Sequence, residues 1–326
     1  MTARERPRPF EDGSVWTARD FPTPRAWVRR LEASHLDEID AALTTARRAG
    51  KPFWALRQDD FPLPATGTLL REVADELERG RGFAVIGGFP VERYGYDDCL
   101  LAYAGLSCHL GTAVEQSYAG ARIVDVRDTG AAYSKESRGY HSSAMLRFHS
   151  DGACLTGLLC LGMAAEGGLS VLASAGAAHN AVLAERPDLY EVLAQGFRHH
   201  RRGEHAPGEP PVSEPIPVFS RHGGLVHCVY DRNQSLWAAD AGVEIAPRQI
   251  EALDCLDAVL ARPGMQLHMD LQPGDVQFVN NFTILHARTA YRDGPGRTRH
   301  LLRLWLDVPG SRWNGPTMRD LYVRAA

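Results

Sequence analysis

Beyond His109 the 326-residue chain becomes a succession of short apolar and β-branched segments cut by glycine and proline turns, and this alternation constrains the fold most. Strands are expected at 123–126, 146–151, 155–161, 169–174, 197–201, 217–220, 225–230, 265–270, 276–279, 283–286 and 299–306. Pro273-Gly274-Asp275 and Gly294-Pro295-Gly296 are typical of the turns between them. Helical patterning intrudes only at 177–185, 188–194 and 247–262. Many short strands of this kind point to a β-sandwich or jelly roll.

The preceding residues have a different texture. Ser34 followed by Asp37 suggests a cap opening a helix over 36–48, Thr68 precedes a second through Arg79, and a third is expected over 96–109. Between the last two, 82–86 is an apolar run bounded by glycine, the pattern of a buried strand. With no internal repeat and no long linker, the chain is expected to be one domain: a helical elaboration at 1–81, a core at 82–306 and a tail at 307–326. The polar, weakly periodic segment 129–147 is expected to be a long loop, a lid inserted in that core.

Composition narrows the class of function. Hydrophobic residues at 44% and charged residues at 23% suit an ordinary globular chain that buries a sizeable core. Lys plus Arg at 36 against Asp plus Glu at 40 leaves a net charge of -4, which argues against nucleic acid or anionic lipid as partner. The most apolar stretch, 155–165, is interrupted by Thr156, Gly157 and Gly162 and is too short to span a membrane. The first ten residues have no apolar core of a secretory signal, so a cytoplasmic location is expected. Six cysteines without a C-x-x-C pair suggest buried free thiols.

Three histidines are followed two positions later by an acid: His35-x-Asp37, His149-x-Asp151 and His268-x-Asp270. Residues two apart at a helix start point in different directions, which discards the first. Residues two apart on a strand share a face, so each of the other two could bring both side chains to one ion. Gly152 and the preceding loop favour His149 and Asp151, with His268 and Asp270 as the rival. A third ligand is available in His286, at the end of the apolar strand after Asn280-Asn281. Two histidines and a carboxylate on one side of an ion, with open positions opposite, suit non-heme iron.

The segment Arg299 to Leu306 is apolar on both faces, so it is expected to be buried on both sides. Arg299 and Arg303 share one of those faces, and a buried guanidinium needs an anion, either a protein carboxylate or a small carboxylate ligand held by its fork. Along a strand the two arginines stand roughly 13 Å apart, too far to converge easily on one small acid. Ser170, at the start of another strand, offers a hydroxyl. His199-His200-Arg201-Arg202 is expected to be a solvated basic face.

Taken together, Phe148-His149-Ser150-Asp151-Gly152, Gly167-Gly168-Leu169-Ser170, Gly274 through Asn281 leading to Leu285-His286-Ala287-Arg288-Thr289, and Arg299-x-x-x-Arg303-x-Trp305 resemble the TauD/TfdA (taurine dioxygenase-like) family of iron(II)/2-oxoglutarate-dependent oxygenases. The motifs fall in family order and run from about Gly82 to Leu306. The resemblance implies a mainly β fold with flanking helices and a double-stranded β-helix core. It implies His149, Asp151 and His286 as iron ligands, Arg299 gripping the distal carboxylate of 2-oxoglutarate, and Ser170 supporting it. Arg288 and Arg297 are substitutes for Arg299. Arg303 and Gln116 match substrate-side positions, and a carboxylate at Asp151, where related halogenases have a small residue, implies hydroxylation.

The implied enzyme takes iron(II), 2-oxoglutarate and dioxygen and oxidises a small polar, amino-acid-like or natural-product substrate, releasing succinate and CO2. Hydroxylation is the default, with desaturation or ring closure as other outcomes. Two alternatives stand beside it: a zinc hydrolase on the same three ligands, and a non-catalytic ligand-binding barrel. The identity of the substrate and the oligomeric state are left open.

Overall fold

The segment expected to be buried on both faces is the spine of the larger sheet. The computed structural model describes residues 7–117, 119–205 and 207–313; the end of the tail lies outside them. In chain order the strands are β1 (Val28–Arg30), β2 (Phe83–Gly87), β3 (Thr112–Val114), β4 (Ile123–Val126), β5 (Leu146–His149), β6 (Leu155–Gly162), β7 (Glu166–Gly167) and β8 (Ser170–Ser174). They continue as β9 (Phe219–His222), β10 (Leu225–Cys228), β11 (Leu267–Met269), β12 (Val276–Asn280), β13 (Ile284–Arg288), β14 (Tyr291–Arg292) and β15 (His300–Asp307). The helices are α1 (Ala33–Ala49), α2 (Thr66–Glu78), α3 (Tyr96–Ser107), α4 (Ala175–Glu185), α5 (Pro187–Gln195), α6 (Arg232–Trp237) and α7 (Pro247–Leu260).

β15 pairs antiparallel with β6 along one edge and with β4 and β3 along the other. The larger sheet runs β1-β2-β12-β6-β15-β3, with β4 also on β15, and the smaller runs β11-β8-β13-β5. The two meet face to face: Phe83, Val85 and Val279 from the larger pack with Leu172, Leu267, Met269 and Ile284 from the smaller. This is the double-stranded β-helix core. Over the outer face of the larger sheet, Ile39 and Leu43 of α1, Leu70 and Val73 of α2, and Tyr103 and Leu106 of α3 bury against Ile86, Phe278, Leu302 and Leu304. Each such side chain contributes about 1.5–3 kcal/mol by leaving water, so the N-terminal helices and the sheet stabilise one another. A second helical layer, α4, α5 and α7, covers β9 and β10 through Val182, Leu189, Leu253 and Leu256.

Most expected elements form, with differences at three places. Segment 197–201 is no strand; Phe197 and His200 make only single bridges, to Ile216 and Val212. Ser34 does not cap α1, which begins one residue before it; the N–H of Glu32 instead donates to His35 Nδ1 at 3.0 Å. The short β1, β3 and α6 carry too little periodicity to be seen in sequence and take their shape from neighbours. The expected loop ends two residues early: 129–145 is loop with one 3-10 turn at Gly139–His141, and β5 begins at Leu146.

Candidate metal centre

β5 and β13 set two histidines directly across from each other. His149 and His286 are register partners in that antiparallel pair, with ring centroids 4.3 Å apart. Asp151 follows two residues beyond His149, its Oδ1 3.9 Å from His149 Nε2 and its Oδ2 3.5 Å from His286 Nε2. One ligand atom from each of the three lies within 4.8 Å of the others, and no other such group occurs among the described residues. The rival His268 is exposed on β11, an outer strand of the smaller sheet, where its Nε2 meets Gln266 Oε1 at 3.1 Å.

The protonation states suit a cation. His149 Nδ1 lies 2.9 Å from the Arg147 carbonyl, which only accepts, so Nδ1 carries the proton and Nε2 presents its lone pair. Burial and the neighbouring His286 hold the His149 imidazole below its usual range and therefore neutral. Burial raises the Asp151 carboxyl, but Arg303 and the two histidines outweigh it and hold the group well below the usual carboxylate range. Its oxygens are fixed: Thr156 Oγ1 and Trp305 Nε1 donate to Oδ2 at 2.9 and 3.0 Å, and Arg303 Nη1 approaches Oδ1 at 3.4 Å. Asn281 steadies the same turn, accepting from the Asp151 N–H and donating to Ala153 O and Thr156 Oγ1. The parts of Trp305, Thr156 and Asn281 were invisible in the sequence, because their contacts depend on which strands face each other.

Arg299 and Arg303 do not converge, but not as two residues of one strand: Arg299 precedes β15, whose register shifts between His300 and Leu301. Arg303 is held between the rings of Tyr140 and Trp305, 4.8 and 5.0 Å away, and its Nε donates to Gln116 Oε1 at 2.7 Å. Gln116, itself buried, returns a hydrogen bond to the Arg303 carbonyl. Arg299 lies by Gly168, whose carbonyl accepts from Nε at 3.3 Å. Gly168 has φ 74°, and a Cβ there would come 2.8 Å from Arg299 Cδ, so the glycine is what admits the guanidinium.

Arg299 has company. Arg288, two residues after His286, lies with it about Tyr291, whose ring centroid is 4.8 Å from the Arg288 guanidinium carbon and 5.2 Å from that of Arg299. Arg299 Nη1 and Arg288 Nε and Nη1 are all buried without a hydrogen-bond partner. Burial and the adjacent Arg299 push Arg288 down to about 10, and burial lowers Arg299 too. Two buried cations with unused donors form a cradle that fits a carboxylate. Ser170 stands opposite Arg288 in the β8–β13 register, but its hydroxyl donates to Gln277 Oε1 at 3.0 Å.

His149 and Asp151 also line a cavity of about 630 Å³, together with Arg303, Trp305 and Gln116 and with Tyr133, Arg138 and Tyr140 of the 129–147 loop. Arg201 and Arg202 belong to this wall, against the expectation of a solvated face. Arg201 is only 7% exposed. Arg202 donates to the carbonyls of Ser134, Lys135 and Ser137 and lies over the rings of Tyr133 and Trp237. It does so from a left-handed backbone, φ 56°, unlike any other non-glycine residue among those described.

Comparison with known proteins agrees with this architecture. The family model "Taurine catabolism dioxygenase TauD, TfdA family" matches residues 44–305. FR-33289 synthase of Streptomyces rubellomurinus is 33% identical over 313 residues, covering 94% of this chain and 92% of that protein. Taurine hydroxylase-like protein SAT17 of Stachybotrys chartarum is 28% identical over 310 residues, 90% of this chain and 79% of that protein. Among solved structures, asparagine oxygenase with Fe(II), 2S,3S-3-hydroxyasparagine and succinate superposes with TM-score 0.66 at 21% identity, covering 91% of this chain and 98% of the other. The non-heme iron oxygenase OrfP with Fe, succinate and (3S)-hydroxy-L-Arg gives TM-score 0.64 at 15% identity, over 87% and 94%. These likenesses select the oxygenase over the zinc hydrolase and the non-catalytic barrel: the chain belongs to the TauD/TfdA family of iron(II)/2-oxoglutarate-dependent dioxygenases.

Proposed function

We propose that His149, Asp151 and His286 hold the iron(II), that Arg299 with Arg288 beside it receives the distal carboxylate of 2-oxoglutarate, and that the lidded cavity takes an amino-acid-like substrate. The convergence of two imidazole nitrogens and a carboxylate oxygen, with His149 and Asp151 facing that cavity, carries the reading. Bound there, iron supplies the oxidising chemistry that couples decarboxylation of 2-oxoglutarate to attack on an unreactive C–H bond. The chain's own residues prepare for it. His149 presents a lone pair, Thr156 and Trp305 fix the Asp151 carboxylate, and the Arg288–Arg299 cradle offers its unused donors to an anion. Ser170 supports the same carboxylate only by releasing Gln277, so its contribution is the smaller one.

On the substrate side, Arg303 meets a carboxylate of the substrate while Gln116 fixes its Nε, and the 129–147 loop excludes water. A cavity of this volume suits a small molecule, and the hydroxyasparagine and hydroxy-L-Arg held by the structural neighbours support an amino-acid-like ligand with hydroxylation as the default outcome. The shared packing of the N-terminal helices on the larger sheet supports one oxygenase domain, and six free cysteines support a reducing, cytoplasmic setting. No helix of the described residues is long and apolar enough to cross a membrane.

The test is a panel of free amino acids and their simple derivatives, scored for succinate release above the substrate-free rate and for a product heavier by one oxygen. At least one member should raise both. Stimulation only by compounds lacking a carboxylate would overturn the role given to Arg303.

A further inference from the structure

The carboxylate cradle and the lid are physically joined. Arg288 Nη2 donates to the carbonyl of Ser142 at 2.6 Å and to that of Ala144, and the Tyr291 N–H donates to the carbonyl between them, Ser143, at 3.0 Å. Three successive carbonyls at the end of the 129–147 loop are thus held by the two residues that, with Arg299, build the cradle. The remaining donors of the Arg288 guanidinium, Nε and Nη1 on either side of Nη2, are buried with nothing to donate to. An arginine that spends Nη2 on a loop and keeps Nε and Nη1 for an anion links that anion to the loop.

The lid in turn reaches the substrate cavity. Immediately before Ser142, the 3-10 turn Gly139–His141 carries Tyr140, whose ring covers the Arg303 guanidinium at 4.8 Å. The path from the cradle to the substrate-facing arginine therefore runs through Arg288, the 142–144 carbonyls and Tyr140.

We propose that Arg288 makes closure of the 129–147 lid depend on 2-oxoglutarate, so that the cosubstrate organises the substrate cavity before the substrate enters. This rests on the reading of the cradle as the 2-oxoglutarate site. Without an anion, two like charges crowd one buried space, and that repulsion weakens the hold of Arg288 on the lid carbonyls. A bound carboxylate removes the conflict and fixes the edge that holds the lid. Because coupling between sites is reciprocal, a fastened lid also favours 2-oxoglutarate.

Hydrogen exchange of the iron(II)-loaded full chain, kept anaerobic, tests this by a readout separate from turnover. In the wild-type protein, saturating 2-oxoglutarate should slow exchange across 130–145 by roughly five- to tenfold, the low end of ordinary coupling between sites. Arg288→Gln, and Arg288→Lys should the first variant fold poorly, should lose that slowing at 2-oxoglutarate concentrations shown by calorimetry to saturate it. Arg299→Lys, which leaves the Arg288–lid hydrogen bonds in place, should keep the slowing once saturated. Equal exchange with and without bound 2-oxoglutarate in the wild type, or a slowing that survives in both Arg288 variants, overturns the coupling. Failure of 2-oxoglutarate to bind the wild type at all would instead overturn the reading of the cradle.

Discussion

The two ends of the cavity are built by different means. At the iron end, His149 and His286 are cross-strand partners, and Asp151 is pinned by an indole and a hydroxyl from the opposing sheet. At the lid end the wall is a loop, held by arginines that reach for main-chain carbonyls: Arg202 to residues 134, 135 and 137, and Arg288 to 142 and 144. A ladder sets atoms by register and tolerates little displacement, whereas a loop fastened by side chains can be released bond by bond. On the proposed reading, the iron chemistry belongs to the part set by the ladder, and the loop closes over the substrate.

That contrast can be broken from either side, beginning with the largest effect. His149→Ala should abolish iron stoichiometry and all 2-oxoglutarate turnover, while His268→Ala should leave both intact; metal analysis of the two purified variants decides, and the reverse result would move the site to the other His-x-Asp pair. Arg303→Gln should keep its fold, its iron and slow substrate-free consumption of 2-oxoglutarate while losing stimulation by substrate. Because Arg303 also approaches Asp151, a variant that melts early and loses iron would make it a structural partner of the rigid end instead.

Arg299→Lys should weaken 2-oxoglutarate binding roughly tenfold or more, since a point charge cannot replace the fork, and anaerobic calorimetry reads this directly. Trp305→Phe removes one donor from Asp151 without emptying the space, and iron affinity should fall about tenfold with little change in melting temperature. The smallest effect is expected at the lid. Arg202→Gly relieves a left-handed backbone worth about 1 kcal/mol but forfeits the lid carbonyls, so thermal stability should hardly move while substrate KM rises a few fold. An unchanged KM would show that the lid needs no such fastening.

Much of the rigid end was legible in the chain. The two-residue spacing of His149 and Asp151 has a geometric meaning on any strand, and the apolar patterning of 299–306 marked the buried strand that carries Arg303 and Trp305. The lid end was far less legible. His199-His200-Arg201-Arg202 has the composition of a solvated patch, yet Arg201 is buried beside Glu209, and Arg202 is a fastener because its partners are carbonyls 65 or more positions earlier. Segment 197–201 has strand-like residues but finds no strand to pair with, only single bridges.

What the sequence by itself determined is therefore what depends on local period and on residue chemistry: strands and helices, two histidines and a carboxylate able to bind a metal, and buried arginines in need of anions. What only the tertiary structure decided is which anion each arginine meets. Arg299 and Arg303 lie four residues apart, the first just before β15 and the second within it, yet one is placed with Arg288 about Tyr291 and the other beside Asp151 and Gln116. The physical reason is that a guanidinium is satisfied by whatever acceptor lies within about 3 Å of it, and those acceptors are brought there by strands and loops distant in sequence, whose arrangement no local pattern encodes.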